Sequence, residues 1–188
     1  MEQRKVDRYE VMMAGSGGRG VLVAGQLLAR TGMSKYQQAS YFPTYGTAMR
    51  GGVVECTVIL SNDRIGSPVL SQVPILVMMD ANYLERFENR VLPQGLIILE
   101  STGIEAKAER EDVKVITVPA VQMATALGDK RAVNLVLLGA YIEITKVLSP
   151  DLVEKELEKW FIGKGLKSAF PVNKEAFRQG MKAVANHK

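Results

Sequence analysis

Tyr9–Ala29, YEVMMAGSGGRGVLVAGQLLA, reads as a strand, a glycine-rich turn and a helix. The apolar run VMMAG suits a buried strand, and VLVAGQLLA suits a helix packed on it. Between them, Gly15-Ser16-Gly17-Gly18-Arg19-Gly20 fits the G-x-G-x-x-G spacing of a dinucleotide-binding turn. Glycine has a mechanical reason here, because a tight strand-to-helix turn needs backbone conformations that a side chain hinders. The helix start then presents unpaired N–H groups to an anion.

The spacing alone does not name the ligand. A dinucleotide site wants an acidic residue about 20 positions after the turn, to hold the ribose hydroxyls. That window reads KYQQASYF and holds none. An NADP-type site takes a basic residue instead, and Lys35 fits that role. The Lys-Ser/Thr pair of a phosphate-binding P-loop is missing after GSGGRG, which argues against nucleotide hydrolysis. A tight structural turn that binds nothing small stays open.

Charge points the same way. Lys and Arg total 24 against 20 Asp and Glu, a net charge of +4. Between Val11 and Val54 there is no acid, while Arg19, Arg30, Lys35 and Arg50 fall in that stretch. A positive region beside a glycine turn suits an anionic ligand or an acidic partner surface. Apolar segments that merely lack acids would give the same count.

The single Cys56 and single His187 exclude more. One thiolate cannot hold an iron–sulfur cluster, and one Cys with one His cannot build a zinc site. A Ser-His-Asp triad would rest on a histidine in the terminal residues. Cys56, in a strand, reads as an inert buried hydrophobe. No basic helix with interleaved aromatics suggests nucleic acid, and no apolar run is long enough to span a bilayer. The charged start MEQRKVDRYE lacks the apolar core of a signal peptide. A cytoplasmic location is expected.

Strands are expected at Tyr9–Ala14, Gln37–Phe42, Val53–Ser61, Pro74–Asp80, Leu96–Leu99 and Val113–Val118. Helices are expected from Gly20 to Thr31 with Gly32 as C-cap, at Ala81–Leu92 stopped by Pro93, at Ala120–Ala126, at Lys130–Leu148, from Ser149-Pro150 to Phe161, and at Asn173–Ala185. Val53–Pro68 reads as an antiparallel hairpin, Pro43–Gly52 as irregular, and Gly163-Lys164-Gly165 as a flexible joint. Trp160 and Phe161 read as helix packing. The order implies one α/β domain over residues 1–188: three-layer and Rossmann-like, with a mostly parallel sheet, an antiparallel hairpin and C-terminal helices.

PTYGTAMRGG, Pro43–Gly52, adds a second glycine motif. It resembles the Tyr-Gly-Pro-Glu-x-Arg-Gly-Gly motif of the gamma subunit of 2-oxoacid:ferredoxin oxidoreductases, a family that opens with a strand and a Gly-x-Gly-Gly-Gln-Gly turn. Cys56-Thr57-Val58-Ile59, Ile65-Gly66-Ser67-Pro68, the strand ILVMMD, the Asn134–Gly139 helix and Asn173…Gly180 are similar in the same order. RGGVVECTVILSNDRIGSP is most similar to the 2-oxoglutarate (KorC-like) branch. Arg19 stands where the family usually has glutamine, and Thr47-Ala48 where it has Pro-Glu.

The resemblance implies a non-redox subunit of a thiamine diphosphate-dependent enzyme. That enzyme converts a 2-oxoacid (2-oxoglutarate first, pyruvate second) and coenzyme A to acyl-CoA and CO2, with ferredoxin reduced. No cofactor is expected on this chain alone. Coenzyme A is expected at a shared site, with thiamine diphosphate, magnesium and iron–sulfur clusters on partner alpha, beta and ferredoxin-like delta subunits; Leu127-Gly128-Asp129-Lys130 is too short for a metal–diphosphate motif. Gly15, Ser16, Gly17, Gly18, Arg19, Gly20 and Arg50 are the expected coenzyme A residues. Tyr41, Tyr45, Gly46, Arg50, Gly51 and Gly52 are the expected interface. No catalytic or metal-ligating residue is expected. A free-standing NADP enzyme and a purely structural assembly subunit are the alternatives.

Overall fold

A computed structural model describes residues 8–45, 52–103 and 108–186. Expected site residues Gly46, Arg50 and Gly51 lie outside the described residues, as do Thr47, Ala48 and His187. Strand β1 spans Arg8–Ser16, helix α1 Val21–Gly32, β2 Gln38–Tyr45, β3 Val53–Ser61 and β4 Val73–Met78. A 3-10 turn, Ala81–Tyr83, leads into α2, Leu84–Glu88; β5 is Val91–Glu100 and β6 Lys114–Val118. The helical part follows as α3 Ala120–Ala126, α4 Val133–Thr145, α5 Pro150–Gly163 and α6 Phe170–Val184.

The strands form one six-stranded sheet in the order β2-β3-β1-β4-β5-β6. The β1–β4, β4–β5 and β5–β6 pairs are parallel; β3 runs against both β1 and β2. The sheet is therefore mostly parallel, as expected of an α/β domain. Its strands read as continuous apolar runs because both faces are covered. Val11 and Met13 of β1 join Val77, Ile98 and Ile116 on the face carrying α1, α4 and α6. Met12 and Ala14 join Leu76, Met78, Ile97 and Phe87 on the other, thinner face.

Several local expectations change. The antiparallel hairpin is β2–β3, with Gln38 opposite Ser61 and Tyr45 opposite Val54, not Val53–Pro68. The stretch after Ser61 instead turns back so that the Thr57 hydroxyl donates to the Pro68 carbonyl at 3.2 Å. Strand β2 also runs through Pro43–Tyr45, into the segment read as irregular. The helix after β4 is short: β5 starts at Val91, where the Val73 N–H donates to the Arg90 carbonyl at 2.8 Å, so Pro93 sits inside a strand. Gly32 is not a left-handed cap. It is the last residue of α1, bare because a Cβ there would stand 2.2 Å from Leu60 Cδ2.

The segment read as one helix from Lys130 to Leu148 is a 3-10 turn, Lys130–Ala132, followed by α4, which ends at Thr145 with Lys146 left-handed. Pro150 opens α5 as expected, but the Ser149 side chain makes no capping bond. Gly163-Lys164-Gly165 is no loose joint. The Leu166 N–H donates to the Phe161 carbonyl at 2.8 Å and the Gly165 N–H to Ile162 at 3.0 Å, with Gly165 at φ 71. That is a Schellman cap, which fixes the end of α5.

Helix α4 is apolar on every side, and residues 133–142 are all buried. It lies between the sheet and α6, so it has no solvent face to make polar. Two glycines let α4 and α6 touch backbone to backbone. A Cβ on Gly139 would stand 2.0 Å from the Phe177 carbonyl oxygen, and one on Gly180 would stand 1.8 Å from that of Val136.

Candidate functional site

The glycine loop leaves the carboxyl end of β1, next to the carboxyl end of β4. In an open parallel sheet, ligands bind in the crevice beyond such strand ends, where successive crossovers diverge. Here the chain leaves β1 towards β2 on one side, while β4 and β5 build out the other. The loop closes into α1 through Gly20, which takes φ 75, ψ 20 as the N-cap residue. Only glycine adopts that conformation freely. Among the described residues no side chain caps α1, and its first turn carries no acid. The first N–H groups of a helix have no partner within it, so this end favours an anion.

The loop is stitched in place by partners far along the chain. Ser16 Oγ donates to Asp80 Oδ2 at 2.6 Å. The other Asp80 oxygen accepts from the Asn82 backbone N–H at 3.2 Å and from Asn82 Nδ2 at 3.0 Å. That carboxylate is thus spent inside the fold. Asn134 Nδ2 donates to the Gly20 carbonyl at 3.1 Å, tying α4 to the start of α1. Asn134 is the lone polar residue in the run VNLVLLGAY, and that oddity was its signal in the sequence. Asp80 had a weaker one, an acid closing an apolar strand.

The Gly17 N–H donates to the Gly52 carbonyl at 2.8 Å. The two glycine motifs therefore meet. The Arg19 N–H turns back to the Ser16 carbonyl at 3.2 Å. Of the N–H groups expected to face a ligand, those of Gly17 and Arg19 are committed inward, as is the Ser16 hydroxyl. Gly18, at φ 93, is exposed, and nothing stands within 4 Å of where its Cβ would be. Arg19 is half-buried.

Tyr41 folds back on its own chain. Its hydroxyl donates to the Leu22 carbonyl at 3.4 Å, and its ring packs where a Cβ on Gly25 would be 3.0 Å away. Tyr45 ends β2, opposite Val54. Lys35 is not near the loop. Its Nζ donates to the Val147 carbonyl at 2.8 Å beyond the far end of α1, roughly 18 Å along a 12-residue helix. The NADP alternative loses its basic residue. Cys56 is fully buried, its thiol pushed up to about 12 by burial and then by Glu55. Among the described residues no three His, Cys, Asp or Glu side chains gather to hold a metal, and no helix is long and apolar enough to cross a membrane.

A cleft of about 300 Å³ opens from the loop. Gly18, Gly20 and Val23 form one side, and Asn134 and Leu135 the floor. The opposite wall comes from the end of α5 and its cap: Trp160, Phe161, Lys164 and Leu166. Trp160 and Phe161, read from sequence as helix packing, are half-buried and line this opening. Asp129 and Arg131 stand at the mouth, paired at 2.9 Å, so that the guanidinium holds the Asp129 carboxyl below its usual range.

The sequence from residue 10 to residue 183 matches the family described as pyruvate ferredoxin/flavodoxin oxidoreductase. Ketoisovalerate oxidoreductase subunit VorA of Methanothermobacter thermautotrophicus is 36% identical over 134 residues, 71% of this chain. The match spans only 28% of VorA. The 2-oxoglutarate synthase subunit KorC of Methanocaldococcus jannaschii is 26% identical over 161 residues, 84% of this chain and 86% of that one. Among solved structures, the gamma subunit of keto/oxoacid ferredoxin oxidoreductase from Geobacter sulfurreducens superposes with a TM-score of 0.81 at 24% identity, covering 95% of this chain and 97% of that one. A chain of 2-oxoglutarate:ferredoxin oxidoreductase from Magnetococcus marinus, solved with 2-oxoglutarate, coenzyme A and succinyl-CoA bound, gives 0.85 at 22% identity, covering 96% of this chain and 31% of that one. The chain belongs to the pyruvate ferredoxin/flavodoxin oxidoreductase family and has the fold of its gamma subunit.

Proposed function

We propose that this chain is the gamma subunit of a multi-chain 2-oxoacid:ferredoxin oxidoreductase and that its glycine loop holds the phosphates of coenzyme A. The observation that carries the reading is the uncapped, acid-free start of α1 behind an exposed Gly18, in a chain whose family match spans residues 10–183. In the assembled enzyme, thiamine diphosphate on a partner would supply the electron sink for decarboxylation, and iron–sulfur clusters on partners would carry the electrons to ferredoxin. This chain's own part is to bind and orient. The first-turn N–H groups of α1 face one anionic oxygen set, Arg19 adds a positive charge, and Asp80 and Asn134 keep the loop from relaxing away. Gly52 joins the second glycine motif to this loop, and Arg50 is proposed to reach the same phosphates or a neighbouring subunit's carboxylate. Tyr41, Tyr45, Gly46, Arg50, Gly51 and Gly52 are the proposed contact with the partners.

The proposed substrate is a 2-oxoacid. We place 2-oxoglutarate first, on the likeness of Arg50–Pro68 to the KorC-like branch. The relatives act, by name, on ketoisovalerate as well as 2-oxoglutarate, so the pocket that selects the acid is proposed to lie on the partner subunits. The inward bonds of Gly17 and Arg19 favour one competing reading, a loop that only braces the assembly.

Anaerobic affinity purification of the tagged chain from its native cells tests the proposal. Co-purifying larger chains, iron–sulfur absorbance and 2-oxoacid-dependent dye reduction are expected. The three acids 2-oxoglutarate, pyruvate and ketoisovalerate then name the substrate. A chain that emerges alone and colourless overturns the assignment.

A further inference from the structure

Ile65-Gly66-Ser67-Pro68 is one of the motifs that resemble the family, and the glycine loop makes no use of it. It lies between β3 and β4, on the thinner face of the sheet. Gly66 is the informative position. It takes no left-handed φ, and among the described residues nothing stands within 4 Å of where its Cβ would be. The fold itself therefore supplies neither a backbone nor a packing reason for glycine here. A bare position that its own chain does not need leaves room for another backbone to pass close by. Gly66, Ser67 and Pro68 are all exposed. The Ser67 hydroxyl bonds within the tip, accepting from the Val69 N–H at 3.1 Å and donating to the Val69 carbonyl at 3.3 Å.

The tip is held at both ends. On one side the Thr57 hydroxyl donates to the Pro68 carbonyl, and Ser61 Oγ accepts from the Asp63 N–H at 3.0 Å. On the other, the Arg90 guanidinium donates to the Leu70 carbonyl at 3.1 Å and to that of Ser71 at 3.4 Å, while pairing with Glu55 at 2.8 Å. Leu70 packs against the core of the thinner face. The outer surface so fixed is apolar, and it continues onto the edge strand. Phe42 of β2 stands directly opposite Thr57, so both side chains rise from one face of the sheet, beside Pro68. Phe42 is 39% exposed and Val69 61%. Asp63 and Arg64, both exposed, flank the motif. A fixed apolar patch with charged neighbours has the make-up of a protein contact. An open loop tip does not bury a small ligand.

In VorA the part that matches this chain belongs to a longer polypeptide, so a unit like this one is joined there to further protein. We propose that the Gly66–Val69 tip and Phe42 dock the partner subunit equivalent to the rest of VorA. A stretch of that partner's main chain passes over Gly66, and its apolar side chains cover Phe42, Pro68 and Val69. The inference rests on the reading that this chain is one subunit of a multi-chain enzyme. It adds a contact on the face of β2 opposite Tyr41, whose side chain lies against α1.

The test uses the assembled enzyme, purified through a tag on this chain. Phe42→p-benzoylphenylalanine and Val69→p-benzoylphenylalanine place photocrosslinkers on the patch. Crosslinks to peptides of the subunit similar to the rest of VorA are expected. Crosslinks only to a different subunit or to a second copy of this chain, or none at all, overturn the proposal. The second measurement is the affinity of the tagged chain for that partner. Gly66→Trp and Val69→Asp should each raise Kd about tenfold or more while leaving the Tm of the chain in place. Wild-type affinity in both variants overturns the docking surface and leaves the subunit reading standing. A wild-type chain that binds no larger chain overturns both. Should Gly66→Trp fail to fold, Val69→Asp and the crosslinks decide by the same criteria.

Discussion

Gly180→Ala puts one methyl group into the tightest helix crossing of the fold. The new Cβ would lie 1.8 Å from the Val136 carbonyl oxygen and 2.6 Å from its carbon. Even a close carbon–oxygen contact sits at about 3.3 Å, so α6 must back away from α4 by roughly 1.5 Å. Both atoms it meets are main chain, and no rotamer change relieves them. Moving α6 loosens Phe177 and Ala176, which are fully buried. Overpacking of this kind costs about 3 kcal/mol, the upper end of the usual range. Alanine recovers about 1 kcal/mol of helix propensity relative to glycine. The net loss is about 2 kcal/mol, and for a chain of this size that lowers Tm by about 4–8 °C. Thermal melts followed by circular dichroism measure it. Gly66→Ala is the control, because nothing stands within 4 Å of its Cβ position, and it should leave Tm in place. A Gly180→Ala protein with unchanged or raised Tm would refute the backbone-contact account of α4 and α6.

Gly20→Ala forces a left-handed alanine and a Cβ 2.6 Å from Asn134 Nδ2; a loss of about 1–3 kcal/mol in urea melts is expected, and no loss would mean the loop can be rebuilt without the Asn134 tie. Cys56 should resist a disulfide reagent at pH 8 in the native protein and react once per chain in guanidinium; rapid native labelling would contradict its raised thiol pKa. The Glu154 carboxyl is held below its usual range by Arg178, then by Lys174, against the opposing effect of burial. That stability is present above the unfolded carboxylate pKa and fades as pH falls through the lower folded value. Glu154→Gln should therefore destabilise most near pH 7 and least near pH 3, and a pH-independent difference would remove the ion pairs from the account.

The strand–turn–helix at the start of the chain was legible because each part is local: an apolar run, glycines at fixed spacing, another apolar run. The strand β4 was legible for the same reason, as a short continuous apolar run, whereas the burial of α4 on every side was not. The hairpin partner of β3 was not. Alternation marks Val53–Ser61 as a strand but does not say whether it pairs with the residues before it or after it. Pro93 misled because proline stops a helix, yet it is tolerated where β4 and β5 shift register between Val73 and Ile75. The glycine loop was visible as a motif, but what holds it was not. Ser16 and Asp80 are 64 residues apart, and Gly20 and Asn134 are 114 apart. Only the fold brings such pairs together, and the cleft exists only where α1, α4, α5 and α6 converge.

Calorimetric titration of coenzyme A into the assembled enzyme, wild type against Arg19→Ala, bears most directly on the claim that the glycine loop is a phosphate site. A lost charge-assisted contact is worth roughly 1.5–3 kcal/mol, so Kd should rise about tenfold or more. An unchanged Kd in an intact Arg19→Ala complex would contradict it and leave the loop a brace for the assembly.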